Sequence, residues 1–100
     1  MECASLEEVR RNIDRIDGQI VALLAERGTF VKQAARLKMS REQVVDRERI
    51  ESIVARVVAL SRELGAWPEV TERVYREMIA AYIDAETAEH IALHEGCTGP

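Results

Sequence analysis

Apolar residues recur along the first third of the chain at helical spacing. With Ile20 taken as zero and about 100° added per residue, Leu6, Val9, Ile13, Ile16, Leu24, Val31 and Ala34 fall within roughly 40° of one line. This stripe predicts one amphipathic helix from Leu6 to about Lys38, crossed only by Gly18 and Gly28. Ser5-Leu6-Glu7-Glu8 supplies a capping box, the serine accepting an early backbone N–H and the glutamate reaching back. At 1.5 Å per residue such a helix is roughly 50 Å long. A compact chain of this size has a radius of gyration of only about 13 Å. The long helix is therefore expected to overhang its own chain and to pack against that of a second copy, giving a homodimer.

Two shorter helices are predicted beyond it. Ser40-Arg41-Glu42-Gln43 offers a second capping box and Asp46 a further N-cap, so 39–46 reads as a short connector. The second helix carries Ile50, Ile53, Val54, Val57, Leu60, Ser61 and Leu64 on one face, with Gly65 as its stop signal. Pro68 suits the first turn of the third helix. That helix is apolar on two sides, Val74, Met78, Ala81 and Ala85 on one and Tyr75, Ile79, Tyr82 and Ile83 on the other, as expected of an element with neighbours on both. Glu86 falls on the second side, about 20° from Ile79. The fold class expected is all-α: three helices, one long and N-terminal, in an intertwined homodimer. Residues 1–94 read as a single helical domain and 95–100 as a frayed tail.

Composition narrows the functional classes. The 100 residues are 47% apolar, 32% charged and only 4% aromatic, with a net charge of −4. No dense Lys/Arg run is present, which argues against nucleic acid as a partner. No apolar run approaches a membrane span and no signal sequence is visible, so a cytoplasmic protein is expected. A regulatory domain is not expected within 100 residues. Cys3 and Cys97 lie near the two ends without CxxC spacing and are expected to be reduced.

The candidate chemistry lies on the apolar stripe itself. Arg27 falls about 20° from its centre line and Lys38 on it, with Arg10 at the edge, roughly 80° away. A lone cation on a buried seam is costly unless something negative meets it. Singly, each has an ordinary reading: Arg27 pairs with a buried glutamate, and Lys38 snorkels off the helix end. As a set with Arg47, Glu48 and Glu86, they suggest an anionic ligand held within a helical bundle. An arginine fork suits a carboxylate, and a lysine supplies a compact charge for a developing negative oxygen.

Leu6-Glu7-Glu8-Val9-Arg10-Arg11-Asn12-Ile13-Asp14-Arg15-Ile16-Asp17, Leu23-Leu24-Ala25-Glu26-Arg27, Lys38 and Asp46-Arg47-Glu48-Arg49 together resemble the all-helical chorismate mutase family. The resemblance covers about residues 5–90, and its specificity lies in the order and spacing of the pieces. It implies an intertwined homodimer with two active sites, each completed by an arginine from the partner's long helix. By matched position Arg10 is that arginine, Arg27 and Arg47 hold carboxylates in their own subunit, and Glu48 meets the ring hydroxyl. Lys38 and Glu86 are the implied catalytic pair at the ether oxygen. The substrate is then a small dianion, chorismate or isochorismate, with no cofactor and no metal.

The implied reaction is a concerted [3,3] shift of chorismate to prephenate. Such a site helps by holding the enolpyruvyl chain over the ring and by stabilising charge on the ether oxygen as its bond breaks. Two features differ from many family members. Glu86 stands where many bacterial members have Gln; an ionised glutamate only accepts hydrogen bonds, so Glu86 has to carry a proton to help, and turnover is expected to improve as pH falls. The connector after Lys38 is short, and with Tyr82-Ile83-Asp84-Ala85-Glu86 it resembles the isochorismate pyruvate lyase branch, which yields salicylate and pyruvate. Related sites also rearrange amino-substituted chorismate, and fold similarity does not choose among these.

The remaining signals are weaker. His90 and His94 share a helix face at i, i+4, but no third ligand accompanies them and metal binding is not expected. Trp67 beside Pro68 reads as a plug for the corner between the second and third helices. The non-enzymatic alternative is a helical dimerisation module. In a scaffold, Arg27→Ala or Lys38→Ala leaves the dimer intact or stabilises it; in an enzyme each costs ~3 kcal/mol of transition-state stabilisation.

Overall fold

The structure, a computed structural model, describes residues 2–37 and 46–95, apart from the side chains of 89, 90 and 92–95. It is all-α, with three helices in chain order: α1 (Leu6–Leu37), α2 (Arg47–Glu63) and α3 (Pro68–Glu95). The connector expected over 39–46, with its Ser40 capping box, lies outside the described residues except for Asp46. No helix described is long and apolar enough to cross a membrane.

Each helix start is built by the expected capping chemistry. Ser5 Oγ accepts the Glu8 backbone N–H at 3.1 Å, and Glu8 Oε2 reaches back to accept the Ala4 backbone N–H at 3.0 Å. Asp46, extended at φ −98° and ψ 97°, caps α2 by accepting the Arg49 N–H at 3.0 Å. Pro68 opens α3, where its missing N–H costs no intrahelical bond.

The α2–α3 corner is closed by backbone geometry. Gly65 adopts φ +74°, the only positive φ among the described residues. This left-handed residue lets the Ala66 N–H reach Ser61 O at 2.9 Å and the Gly65 N–H reach Arg62 O at 3.4 Å. These are the two bonds of a Schellman motif, and they satisfy carbonyls that the helix end otherwise orphans. Trp67 is 77% exposed and so does not plug the corner as expected; once main-chain bonds close the turn, no side chain is required to fill it.

The chain divides into two compact units, Met1–Phe30 and Val31–Pro100. In the second, α2 and α3 pack antiparallel around Ile53, Val54, Val57 and Ile79, with Ile50, Val58, Tyr75 and Ile83 against that cluster. Ser61 is buried within this apolar face and shares a hydrogen bond of 2.9 Å with the Thr71 hydroxyl, so its polar atom is satisfied. Ala35, near the end of α1 in the same unit, is buried. Leu60 and Leu64 depart from the expected face and are exposed: Leu60 lies at the edge of the stripe, and Leu64 is the C-cap beyond the last helical residue.

In the first unit most of the apolar stripe of α1 is exposed, with Leu24 half-buried. Leu6, Val9, Ile13, Ile16 and Ile20 are all exposed in the single chain. On α3 the Ile79 side is covered, whereas Val74, Ala81 and Ala85 on the opposite side are exposed and Met78 is half-buried. Apolar surface therefore remains open on two elements.

Candidate functional site

The α2–α3 hairpin carries three of the candidates. Arg47 is the first helical residue of α2 and Glu48 the second, and both are exposed. Glu86 lies two turns beyond Ile79 on the face that packs toward α2, is only 7% exposed, and its Oε1 is sealed from solvent. The Ser61–Thr71 hydrogen bond fixes the register between the helices. Arg47 is fourteen residues before Ser61 and Glu86 fifteen after Thr71, so each lies about 21–22 Å from that bond along its own helix. Arg47, Glu48 and Glu86 thus share the end of the hairpin opposite the corner, and Ile50 and Ile83, about one turn nearer the corner, pack against the core.

An arginine at a helix start is electrostatically awkward, because the N-terminus already carries partial positive charge. Arg47 forms no ion pair among the described residues. Glu48 beside it complements the dipole, as an acid in a first turn does. An exposed guanidinium is suited to receive a carboxylate, because its planar fork donates two parallel hydrogen bonds.

Arg10 and Arg27 belong to the first unit. Arg10 is exposed and Arg27 half-buried. Seventeen residues of continuous helix separate them, about 25 Å at 1.5 Å per residue. One small ligand does not span that distance, so the two arginines of one chain do not grip the same molecule. Lys38 lies outside the described residues.

The structure also shows an ionic network absent from the sequence reading. Arg76 on α3 donates through both terminal nitrogens to Glu51 on α2, at 2.8 and 3.0 Å, and through Nε to Glu72 at 2.9 Å. The hydrogen bond from Arg76 holds the Glu51 carboxyl below the usual carboxylate range, against a smaller opposing effect of desolvation. The same bonds, accepted by Glu51 and Glu72, raise the Arg76 guanidinium. Glu72 and Arg76 are visible in sequence as an i, i+4 pair; Glu51, 25 residues away from Arg76, requires the hairpin register.

The chorismate mutase type II family profile matches residues 9–87. The chain belongs to that family. Among its relatives, the bifunctional chorismate mutase/prephenate dehydratase of Aquifex aeolicus is 34% identical over 93 residues, covering 87% of this chain and 25% of that protein. This chain therefore spans about a quarter of that relative's length. The isochorismate pyruvate lyase of Pseudomonas aeruginosa is 32% identical over 82 residues, covering 82% of this chain and 81% of the lyase.

Family membership matches the resemblance read from the motifs, and the matched span contains Arg10, Arg27, Lys38, Arg47, Glu48 and Glu86. The hairpin brings the last three to one end. The other signals fall elsewhere. Cys3 is a free thiol accepting a 3.5 Å contact from Asn12 Nδ2, which also donates to Glu8 O at 3.0 Å. Cys97 and the side chains of His90 and His94 are outside the described set. A surface depression lined by Arg62, Trp67, Pro68, Glu69 and Val70 sits at the corner and holds none of the candidates.

Proposed function

We propose that the protein rearranges chorismate to prephenate in a cytoplasmic homodimer, with Arg47 binding a substrate carboxylate and Glu86 facing the ether oxygen. The observation that carries this reading is the shared placement of an exposed cation and a sealed acid at one end of the α2–α3 hairpin, in a chain of the chorismate mutase type II family. Arg27 holds the second carboxylate, Lys38 donates to the ether oxygen, and Glu48 meets the ring hydroxyl. Arg10 comes from the partner. The 25 Å between Arg10 and Arg27 on one helix supports that assignment, as does the exposed apolar stripe of α1, which a second long helix can cover.

The mechanism asks little covalent chemistry of the protein. The ether C–O bond breaks as the new C–C bond forms, within one molecule and without a nucleophile. Two clamped carboxylates hold the enolpyruvyl chain over the ring, which removes most of the entropic part of the barrier. As negative charge builds on the ether oxygen, fixed donors stabilise it more than they stabilise the ground state. Lys38 supplies one such donor; Glu86 supplies another only when it carries a proton.

A second reading has its own support. The lyase relative is covered over 81% of its length, so its overall size is close to that of this chain. In that reading the same cations hold isochorismate and pyruvate is eliminated. Purified protein incubated separately with chorismate and with isochorismate decides between them. A much higher kcat/KM for chorismate, with prephenate formed, is expected; preferential release of salicylate and pyruvate from isochorismate makes the protein a lyase. Turnover of neither overturns both readings and favours an amino-substituted substrate or a scaffold.

A further inference from the structure

Arg47 and Glu51 are one turn apart on α2 and about 40° apart around its axis, the spacing at which an arginine and a glutamate on one helix pair. Left to themselves, the Glu51 carboxylate and the Arg47 guanidinium are natural partners, and a paired Arg47 offers its fork to no other carboxylate. In the structure they are not paired. Both Glu51 oxygens are taken by Arg76, Oε2 by Nη1 at 2.8 Å and Oε1 by Nη2 at 3.0 Å. Arg76 is itself held in place by Glu72, which accepts from its Nε at 2.9 Å. The bidentate fork occupies Glu51 from the neighbouring helix and leaves Arg47 exposed, with no ion pair among the described residues.

We propose that Arg76 is a positioning residue that sequesters Glu51 and so keeps the Arg47 guanidinium available to a substrate carboxylate. Arg76 acts through Glu51 and touches no substrate. The inference rests on the reading of Arg47 as a carboxylate binder, and it explains a feature that reading leaves open, the presence of an acid one turn from the cation. It also distinguishes the network from a simple brace between helices. A brace is broken equally by removing either partner. A sequestering device fails only when Arg76 is lost, and removing Glu51 as well repairs it.

The experiment compares Arg76→Met, Glu51→Gln and the double variant. The first readout needs no ligand: the Arg47 Nε–H resonance, assigned by its loss in Arg47→Met. It is expected to shift and to exchange more slowly with water in Arg76→Met, and to return to its wild-type position in the double variant. The second readout is steady-state kinetics on whichever of chorismate or isochorismate is turned over. Arg76→Met is expected to raise KM roughly twofold, the scale of one i, i+4 pairing, with kcat little changed. Glu51→Gln alone and the double variant are expected to keep the wild-type KM. If Glu51→Gln raises KM as much as Arg76→Met does, the network is only a brace and the inference falls. An unmoved Arg47 resonance in Arg76→Met overturns it directly. Arg47→Met tests the underlying reading separately: if it leaves KM unchanged while the resonance in Arg76→Met shifts as expected, sequestration stands and the carboxylate-binding role of Arg47 fails.

Discussion

In the proposed reaction, Glu86 is where a single atom decides the chemistry. A carboxylate accepts hydrogen bonds, and the forming oxyanion needs a donor, so the ionised side chain repels the charge it should stabilise. Glu86→Gln presents an amide N–H in place of the carboxylate and is therefore expected to raise kcat/KM, read from initial rates. An unchanged or lower kcat/KM in that variant counts against the contact between Glu86 and the ether oxygen. The position was legible in the sequence because Glu86 shares the Ile79 stripe, and a stripe that buries Ile79 buries whatever follows it two turns later. Trp67 shows the reverse. Its size suggested a plug, but the requirement at the corner is for backbone bonds, which Gly65 meets and which size does not signal.

At the scale of elements, the two glycines at Gly18 and Gly65 face opposite demands. Gly65 is held at φ +74°, where a Cβ is strained even though nothing lies within 4 Å of it. Gly65→Ala is expected to cost about 1 kcal/mol of stability. Gly18 sits mid-helix in α1, and a Cβ there also meets nothing within 4 Å, so Gly18→Ala is expected to stabilise by about 0.5–1 kcal/mol. Urea titration of the two variants checks the opposite signs. The hairpin adds a pH test. Because the folded-state Glu51 is depressed by Arg76, its contribution is present above the unfolded carboxyl value and is lost as pH falls through the lower folded one. The stability gap between wild type and Glu51→Gln is expected to close on that acid side, followed as urea midpoints from about pH 6 down to pH 3. Helix ends were readable because Ser5, Asp46, Gly65 and Pro68 act within four residues of themselves. The Glu51–Arg76 bond was not, because no local rule links residues 25 positions apart before the register of the hairpin is known.

The whole molecule is where sequence and single-chain structure both point outward. Arg10 and Arg27 face a geometric conflict within one chain, since about 25 Å of helix separates two groups assigned to the same small dianion. A dimer resolves the conflict if each ligand takes Arg27 from one copy and Arg10 from the other. Complementation tests this without a structure of the assembly. Arg10→Ala and Arg27→Ala are each expected to be nearly inactive as homodimers, since every site then lacks one clamp. Mixed in equal amounts, unfolded and refolded together, they form heterodimers in half of the assemblies. In each heterodimer one site receives Arg27 from the Arg10→Ala chain and Arg10 from the Arg27→Ala chain, while the other site lacks both. Activity is then expected to recover to about a quarter of the wild-type value, as random pairing into closed two-fold dimers requires. If Arg10 serves its own chain instead, every site in every dimer still lacks one arginine, and mixing recovers nothing.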